Sequence, residues 1–421
     1  MAVALASKRS AVTSIELFAG GGGLALGVRE AGFRHLLVNE SDARACETLR
    51  ANLAGDESSL VPGDVRSIDW APFRGSVDLV AGGAPCQPFS LGGLHRGDED
   101  HRNLFPEVFR ALREVRPRAV LLENVRGLLR ASFRPYFEYI LAQLRAPHRP
   151  AAAGEDWTEH HARLRRAGDA GDPSERYVVA HKLVNAADYG VAQKRQRVFI
   201  VGFRADLGVP WEFPPETHNE DALLWDQLHG PYWAEHGTPR RSPATLARSR
   251  RERLLNGERP DALRWRTVRD ALGDLPEPVP GAEHPAIHNH VGVPGARLYH
   301  GHTGNPIDRP AKTVKAGVHG VPGGEHVLVR EDGGFRYMTV RECARLQGFP
   351  DSYRFAGPRS EAMRQIGNAV PVTLARIMAG AVLAQLTDTV APVDADAGPQ
   401  TARPRHHLAD DGRRREQGLQ G

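Results

Sequence analysis

The 421-residue chain has little cysteine, little lysine and no long apolar run. Its three cysteines, Cys46, Cys86 and Cys343, are too few and too scattered for a disulfide scaffold or a zinc cluster, so no metal site is expected. Lysine supplies only five of the 55 basic residues, an arginine preference that GC-rich coding produces without a functional cause. No apolar stretch approaches the ~20 residues needed to span a bilayer. The opening MAVALASKRS sets Lys8 and Arg9 after a very short apolar run, the reverse of a secretory signal. A membrane protein and an exported protein are therefore not expected, and the reducing cytoplasm is the expected compartment.

What is present is ordinary globular material, with 41% hydrophobic and 25% charged residues. A domain takes roughly 100–200 residues, so the length suits an α/β core plus a second module. The net charge of +4 is only a hint of a polyanionic partner.

Along the chain, strand-like runs recur at Ser14–Phe18, His35–Asn39, a short segment ending near Asp64, Val77–Ala81 and Ala119–Leu122. Helical patterns separate them, one ending near Ala31, one around Cys46 and one at Leu104–Val115. That rhythm reads as βαβ units and a parallel sheet. Residues 146–175 read as a polar insertion with one short helix, after which Tyr177–Leu183 and Arg197–Val201 resume strand character. From 204 to 308 the periodicity dissolves into a loop-dominated module, extending through about 338. Within it, residues 239–269 hold ten arginines against Glu252, Glu258 and Asp261. Helical periodicity returns at Val340–Leu346 and from Val372 to about Leu386, and the tail from 388 is expected to be disordered. The expected division is 14–203 for a cofactor-binding and catalytic domain, 204–338 for a recognition domain, and 339–387 for a return to the first.

Two places carry chemistry. Phe18-Ala19-Gly20-Gly21-Gly22-Gly23 lies between a strand and a helix, where open sheets bind nucleotides. Glu40 follows Gly20 by twenty residues, the spacing at which a carboxylate meets ribose hydroxyls, and Asp64 reaches the same rim. Gly27 falls four residues after Gly23, so the dinucleotide fingerprint is not met and an adenosyl ligand without a pyrophosphate fits better. The second place is Cys86, in Gly82-Gly83-Ala84-Pro85-Cys86-Gln87-Pro88, which emerges from a strand above that loop. Cys46 and Cys343 fall in helical patterns and read as packing residues. Glu123-Asn124-Val125 sits on the same rim, and Gln193-Lys194-Arg195-Gln196-Arg197 enters a later strand. Alternation would put Arg195 and Arg197 on one face, aimed at a common anion or carbonyl.

These segments, in this order, resemble the motifs of the DNA cytosine-5 methyltransferases, from about 14 to 386. The glycine cluster is similar to their cofactor motif, Pro85-Cys86-Gln87 to the nucleophile motif, and Glu123-Asn124-Val125 to the base-binding motif. The Gln193–Arg197 run is similar to the arginine motif, and Arg309-Pro310-Ala311-Lys312-Thr313-Val314 to the segment that organises the recognition domain. Gly367-Asn368-Ala369-Val370-Pro371 resembles the final motif. The resemblance implies a Rossmann-like α/β methyltransferase sheet with a smaller, loop-rich target-recognition domain. It implies S-adenosylmethionine as cofactor, held by Phe18, Gly20, Gly22, Gly23, Leu24, Glu40, Asp64, Val65, Leu104, Asn368 and Ala369. Catalysis would rest on Cys86, Glu123, Arg195 and Arg197. The Cys86 thiolate would add to C6 of a flipped cytosine, with Glu123 at N3 and the exocyclic amine, Arg197 at O2, and Arg195 supporting the active-site loop or phosphate. Residues 87–103 resemble the mobile loop that closes over the base, with Gly92, Gly93 and Gly97 as hinges. One departure is Ser41, where the family often carries a large apolar residue against the adenine. The arginine-rich stretch would serve phosphates and guanine edges.

The implied partner is double-stranded DNA, with a cognate restriction endonuclease acting on the same site and a monomeric enzyme. Two other readings share the fold, a tRNA cytosine-5 methyltransferase and a non-catalytic DNA-binding regulator. The long variable module argues against the first, and intact Cys86, Glu123 and Arg197 argue against the second.

Overall fold

Seven strands form one sheet in the order β3-β2-β1-β4-β5-β7-β6. The computed structural model describes residues 11–53, 59–85, 103–241, 248–317 and 323–388, all within one compact unit, Met1–Thr389. In chain order the first elements are β1 (Thr13–Leu17), α1 (Gly23–Glu30), β2 (Arg34–Glu40), α2 (Ala43–Asn52) and β3 (Leu60–Pro62). Then come β4 (Leu79–Gly82), α3 (Phe105–Val115), β5 (Ala119–Val125), α4 (Arg134–Arg145), α5 (Trp157–Ala167), β6 (Tyr177–Asn185) and β7 (Gln196–Arg204).

The first five strands pair in parallel, as expected of short apolar runs buried on both faces. The edge departs from the all-parallel expectation, because β7 runs antiparallel to both β5 and β6. The connection from β6 to β7 is short and contains no crossover helix, so the two strands can only pair antiparallel. One core packs β1, β4 and β5 against α3 and α4, with Ile15, Leu17, Val80, Val120 and Leu122 all buried. The opposite face is covered by α1 and by the last helix, through Leu24, Val28, Leu374, Met378 and Val382.

The insertion is better ordered than its composition suggests, because Asp156 and Glu159 form a reciprocal capping box at the start of α5. Trp157 and His160 of that helix pack on Tyr136 and Tyr139 of α4.

Among the described residues from 205 to 338 no strand joins the large sheet, in line with the loop-rich expectation. The elements there are short: β8 (His218–Asn219), α6 (Glu220–Leu228), α7 (Tyr232–Glu235), α8 (Arg248–Asn256), β9 (Leu263–Arg264), α9 (Val268–Leu272), β10 (Glu283–His284) and β11 (Ile287–Val291). β12 (Asn305–Pro306), β13 (Val327–Val329) and β14 (Phe335–Tyr337) make a small three-stranded sheet. The chain then returns through α10 (Val340–Leu346), α11 (Arg359–Asn368) and α12 (Val372–Asp388). Helix α11 is absent from the sequence expectation, since RSEAMRQIGN is polar and carries a glycine. The stretch Arg359–Asp388 is long and apolar enough in composition to cross a membrane, contrary to the expectation that no run reaches that length. Here α12 serves as a core helix, with Leu374, Ala375, Met378, Ala379, Val382 and Leu386 buried against α1 and the sheet. The expected disordered tail lies, from residue 389 on, outside the described residues.

Candidate active site

The strand order reverses at β1, with β2 on one side and β4 on the other, and that reversal opens a crevice at the carboxyl ends of the strands. A cavity of about 540 Å³ lies there. Its wall is made by residues at or just past the strand ends, namely Phe18, Glu40, Gly63–Arg66, Gly83–Pro85 and Glu123–Val125, with Leu104 before α3 and Arg364, Gln365 and Gly367–Val370 closing it.

The glycine loop is bent hard. Phe18 has φ of 58°, left-handed and costly for an aromatic residue, and Gly20 and Gly22 follow at 55° and 83°. Glu40 holds the loop in place, its Oε2 accepting from the Gly20 amide at 2.6 Å and its Oε1 from the Asp42 amide at 2.7 Å. From behind, the Tyr353 hydroxyl donates to the Gly21 carbonyl at 2.8 Å. Phe18, Gly20, Gly23, Leu24, Glu40, Asp64, Val65, Leu104, Asn368 and Ala369 all line the cavity. Gly22 does not: it faces Tyr353 and Leu49 on the far side, and Gly21 takes its place on the wall. The position expected for cofactor contact is thus a packing glycine, since a side chain there would collide with the Tyr353 hydroxyl. Asp64 lies beyond β3, where its carboxylate caps the Val65–Ser67 turn and pairs with Arg66 at 2.9 Å.

The catalytic candidates divide. Glu123 lies buried two residues before the end of β5, with Oε1 2.7 Å from Arg197 Nε. Burial raises its carboxyl above the usual carboxylate range, while the charges of Arg197 and Arg195 oppose that rise. Beside it, Asn124 donates to the Ala84 carbonyl at 3.1 Å, which fixes the turn after β4. That turn ends at Pro85 on the cavity wall. Cys86 and the expected mobile loop with Gly92, Gly93 and Gly97 lie outside the described residues.

Arg195 is fully buried and does not share Arg197's target. Its guanidinium donates to the carbonyls of Val314 (2.9 Å), Gly367 (2.6 Å) and Ala369 (2.9 Å). Arg195 is therefore a strut between three backbone segments, where the sequence suggested a second group facing an anion. Gln193 adds to the joint, donating to the Leu346 carbonyl at 3.2 Å and accepting from the Val314 amide at 3.0 Å.

The arginine-rich stretch also differs from expectation. Arg241, Arg250, Arg253, Arg264 and Arg269 each stand within ion-pair distance of a carboxylate of the same chain. Much of the local excess is thus neutralised internally. The sequence reading passes over Glu16, Asp42, Arg66, Arg364 and Gln365, all on the cavity wall, where Ser41 also lies as the resemblance implies. For Glu16 the signal is visible, a lone acid inside the apolar run SIELF.

Residues 12–146 and 173–384, well over half of the chain, match the family described as C-5 cytosine-specific DNA methylase. The chain is 35% identical over 369 residues to the Type II methyltransferase M.Eco47II of Escherichia coli, covering 86% of this chain and 76% of that protein. It is 33% identical over 381 residues to the Type II methyltransferase M.NgoMIV of Neisseria gonorrhoeae, covering 89% and 98%. Among solved structures, the Dnmt2 methyltransferase of S. pombe superposes with a TM-score of 0.53 at 16% identity, over 89% of this chain and 99% of that one. The DNMT2 of Spodoptera frugiperda does so with 0.56 at 15%, over 88% and 99%. At such identities these two speak for the fold alone.

Proposed function

Because the chain belongs to the C-5 cytosine-specific DNA methylases, and its relatives are type II methyltransferases, we propose that it methylates C5 of a cytosine flipped out of a specific duplex sequence, with S-adenosylmethionine as cofactor and Cys86 as nucleophile. The observation that carries this reading is the buried Glu123–Arg197 pair on the wall of the strand-end cavity, beside the Pro85 that Cys86 directly follows.

The residues present fit an adenosyl amino acid. The cavity is of suitable size, a glycine loop gives it a close backbone wall, and a buried carboxyl at Glu16 faces it without a partner. Phe18, Glu40, Val65, Leu104 and Asn368-Ala369 would hold the cofactor, which supplies the methyl group when bound. Glu40 keeps acceptor capacity for ribose hydroxyls after taking two amides, since a carboxylate has about four lone-pair positions.

Cys86 does the covalent work. Its thiolate adds to C6, and the ring electrons displaced toward C5 make that carbon nucleophilic. Glu123, at N3 and the exocyclic amine, and Arg197, at O2, stabilise the charge that develops on the ring. Once C5 carries the methyl group its proton passes to water, and the electrons of that C–H bond expel the Cys86 thiolate from C6. Residues 204–338 serve as the recognition module and 339–387 as the return to the catalytic domain. The enzyme works as a monomer in the cytoplasm, paired with an endonuclease of the same specificity.

Duplexes with 5-fluorocytosine at the target position test this reading, because fluorine cannot leave C5 as a proton does. A stable adduct mapping to Cys86 is the expected result. An active preparation that forms no adduct would overturn the mechanism.

A further inference from the structure

Reading a base edge needs side-chain donors that the fold has not already engaged. Most arginines between 204 and 338 fail that condition. Arg264 holds Asp226, Glu235 and Asp270, and Arg269 holds Asp308 and Glu331. Arg309 stands 3.5 Å from Glu220, and Arg336 lies 2.6 Å from Glu342. Turning any of these onto a base would strand its carboxylate.

One stretch differs. From His284 to Ile307 the chain runs 24 residues without an Asp or Glu, the longest such run between 204 and 338. Its single Lys or Arg is Arg297, whose guanidinium has no partner among the described residues. Arg297 lies between β11 and β12, in a loop that stands clear of the fold, for a Cβ added at Gly295 or Gly301 would meet nothing within 4 Å. Gly301 takes a φ of 77° in a tight turn that the His302 amide closes by donating to the Tyr299 carbonyl at 3.0 Å. Arg297, His300 and His302 are exposed, and the Tyr299 ring beside them is 50% exposed.

The base of this loop is fixed while its tip is free. The Arg297 amide donates to the Tyr337 hydroxyl at 3.3 Å, and Lys312 Nζ donates to the Thr303 carbonyl. Asn305 donates to the Val327 carbonyl at 2.8 Å and accepts from the Lys312 amide at 2.7 Å. The segment around Lys312 is in turn bonded to the catalytic rim. The Lys194 amide donates to the Ala311 carbonyl at 2.8 Å, and the Thr313 hydroxyl to the Lys194 carbonyl at 2.8 Å, three residues before Arg197. A free donor is thus carried on a support continuous with the strand that holds Arg197.

We propose that the 295–303 loop, and not the arginine-rich stretch 239–269, reads the target sequence, with Arg297 on a guanine edge in the major groove and Tyr299 against the neighbouring base pair. The assignment rests on the reading of the chain as a DNA methyltransferase with its recognition module at 204–338. A guanidinium fork matches the N7 and O6 acceptors of guanine, and a tyrosine ring offers both an apolar face and a hydroxyl.

Bisulfite sequencing of duplex DNA methylated by the purified full chain gives the wild-type motif, against which variants are compared. Arg297→Ala should relax one guanine position and lower kcat/KM on the cognate duplex by about ten- to a hundredfold. Tyr299→Ala should relax the position beside it. Arg253→Ala, an exposed arginine of the other stretch that pairs with Asp221, should keep the motif whole. In wild type, 7-deazaguanine at the relaxed position should slow methylation, because it lacks N7, and Arg297→Ala should be indifferent to it. Arg297→Gln should move the preference there from guanine toward adenine, a change that mere loss of structure cannot produce. A motif untouched by Arg297→Ala, an equal loss on cognate and non-cognate duplexes (the mark of a phosphate contact), or a 7-deazaguanine penalty that survives the substitution would each overturn the assignment. If the alanine variant does not fold, Arg297→Gln decides, and an unaltered motif in it would overturn the assignment as well. A wild-type chain that methylates no duplex cytosine would sink the functional reading itself, an outcome distinct from a motif that ignores Arg297.

Discussion

Arg197 and Glu123 meet because of strand register. β7 runs antiparallel to β5 with Arg197 opposite Val125, so Arg197 lies on the diagonal from Glu123 on the same sheet face, Nε to Oε1 at 2.7 Å. The pair thus rests on two hydrogen-bonded strands, a more rigid support than a loop.

Glu123→Gln keeps the shape of the side chain and removes its charge. Methyl transfer should fall by roughly 10²- to 10⁴-fold, the range of a lost acid–base group. Cofactor affinity should stay within about twofold, because the change lies at the base end of the cavity. Burial sets the Glu123 carboxyl above the usual range against the opposing charges of Arg197 and Arg195. The wild-type rate profile should carry that elevated ionisation and Glu123→Gln should lack it. Arg197→Ala removes the nearer opposing cation, so whatever activity remains should show the ionisation moved further up. A profile unchanged by both substitutions would show that Glu123 does not titrate in the reaction.

Arg195→Ala leaves the carbonyls of Val314, Gly367 and Ala369 without their shared donor. Unfolding in urea should reveal a loss of roughly 3–5 kcal/mol, as for other buried charged networks that are cut. Gly367 and Ala369 also line the cavity, so cofactor affinity should fall with stability. Arg195→Lys should restore only part of either, since an ammonium on a flexible stem does not reproduce the guanidinium fork. Wild-type stability in the alanine variant would remove the strut from the account.

These two arginines show how far the sequence carries. Apolar β-branched runs marked β1, β2, β4, β5 and β7, and the motifs at their ends converge on one cavity because parallel strands deliver their carboxyl ends to one rim. Alternation was extended one residue too far: β7 begins at Gln196, so Arg195 precedes the strand and does not obey its period. Gly22 could not be separated from Gly20 and Gly23 by composition. What turns it away from the cavity is Tyr353, more than 300 residues distant in sequence. Helix α11 was hidden because its helicity comes from packing, with Ala362, Met363 and Ile366 buried, and not from a strong local pattern. For the arginines of 239–269, counting charges could not show that their partners lie elsewhere, as with Arg269 and Asp308.

Glu16 also gives a stability prediction free of ligand. Its carboxyl, raised by burial, stays protonated in the fold at a pH where the unfolded chain has already ionised. The folded state is therefore favoured below the unfolded value of about 4.3 and loses that advantage as pH climbs toward the folded value. Glu16→Gln carries no such penalty. Denaturation without cofactor should show the variant gaining more over wild type at about pH 8 than at about pH 5. An equal difference at both would mean that the carboxyl titrates normally.

His326 should limit stability from the acid side. It is fully buried ahead of β13, with Nε2 donating to the Lys315 carbonyl at 3.0 Å and Nδ1 left without a partner. Protonation would place a second N–H where nothing accepts it, and burial holds the imidazole down to about 4. The unfolded chain takes up that proton near pH ~6.5, so stability should drain away between there and the folded value, by up to roughly 3 kcal/mol. Many carboxylates titrate over the same interval, so the informative quantity is a difference. His326→Asn keeps a neutral polar side chain and does not ionise. The wild-type advantage over it should shrink by a few kcal/mol from about pH 7 to about pH 4.5 in urea melts. An advantage that holds steady across that interval would mean the ring keeps its ordinary basicity inside the fold.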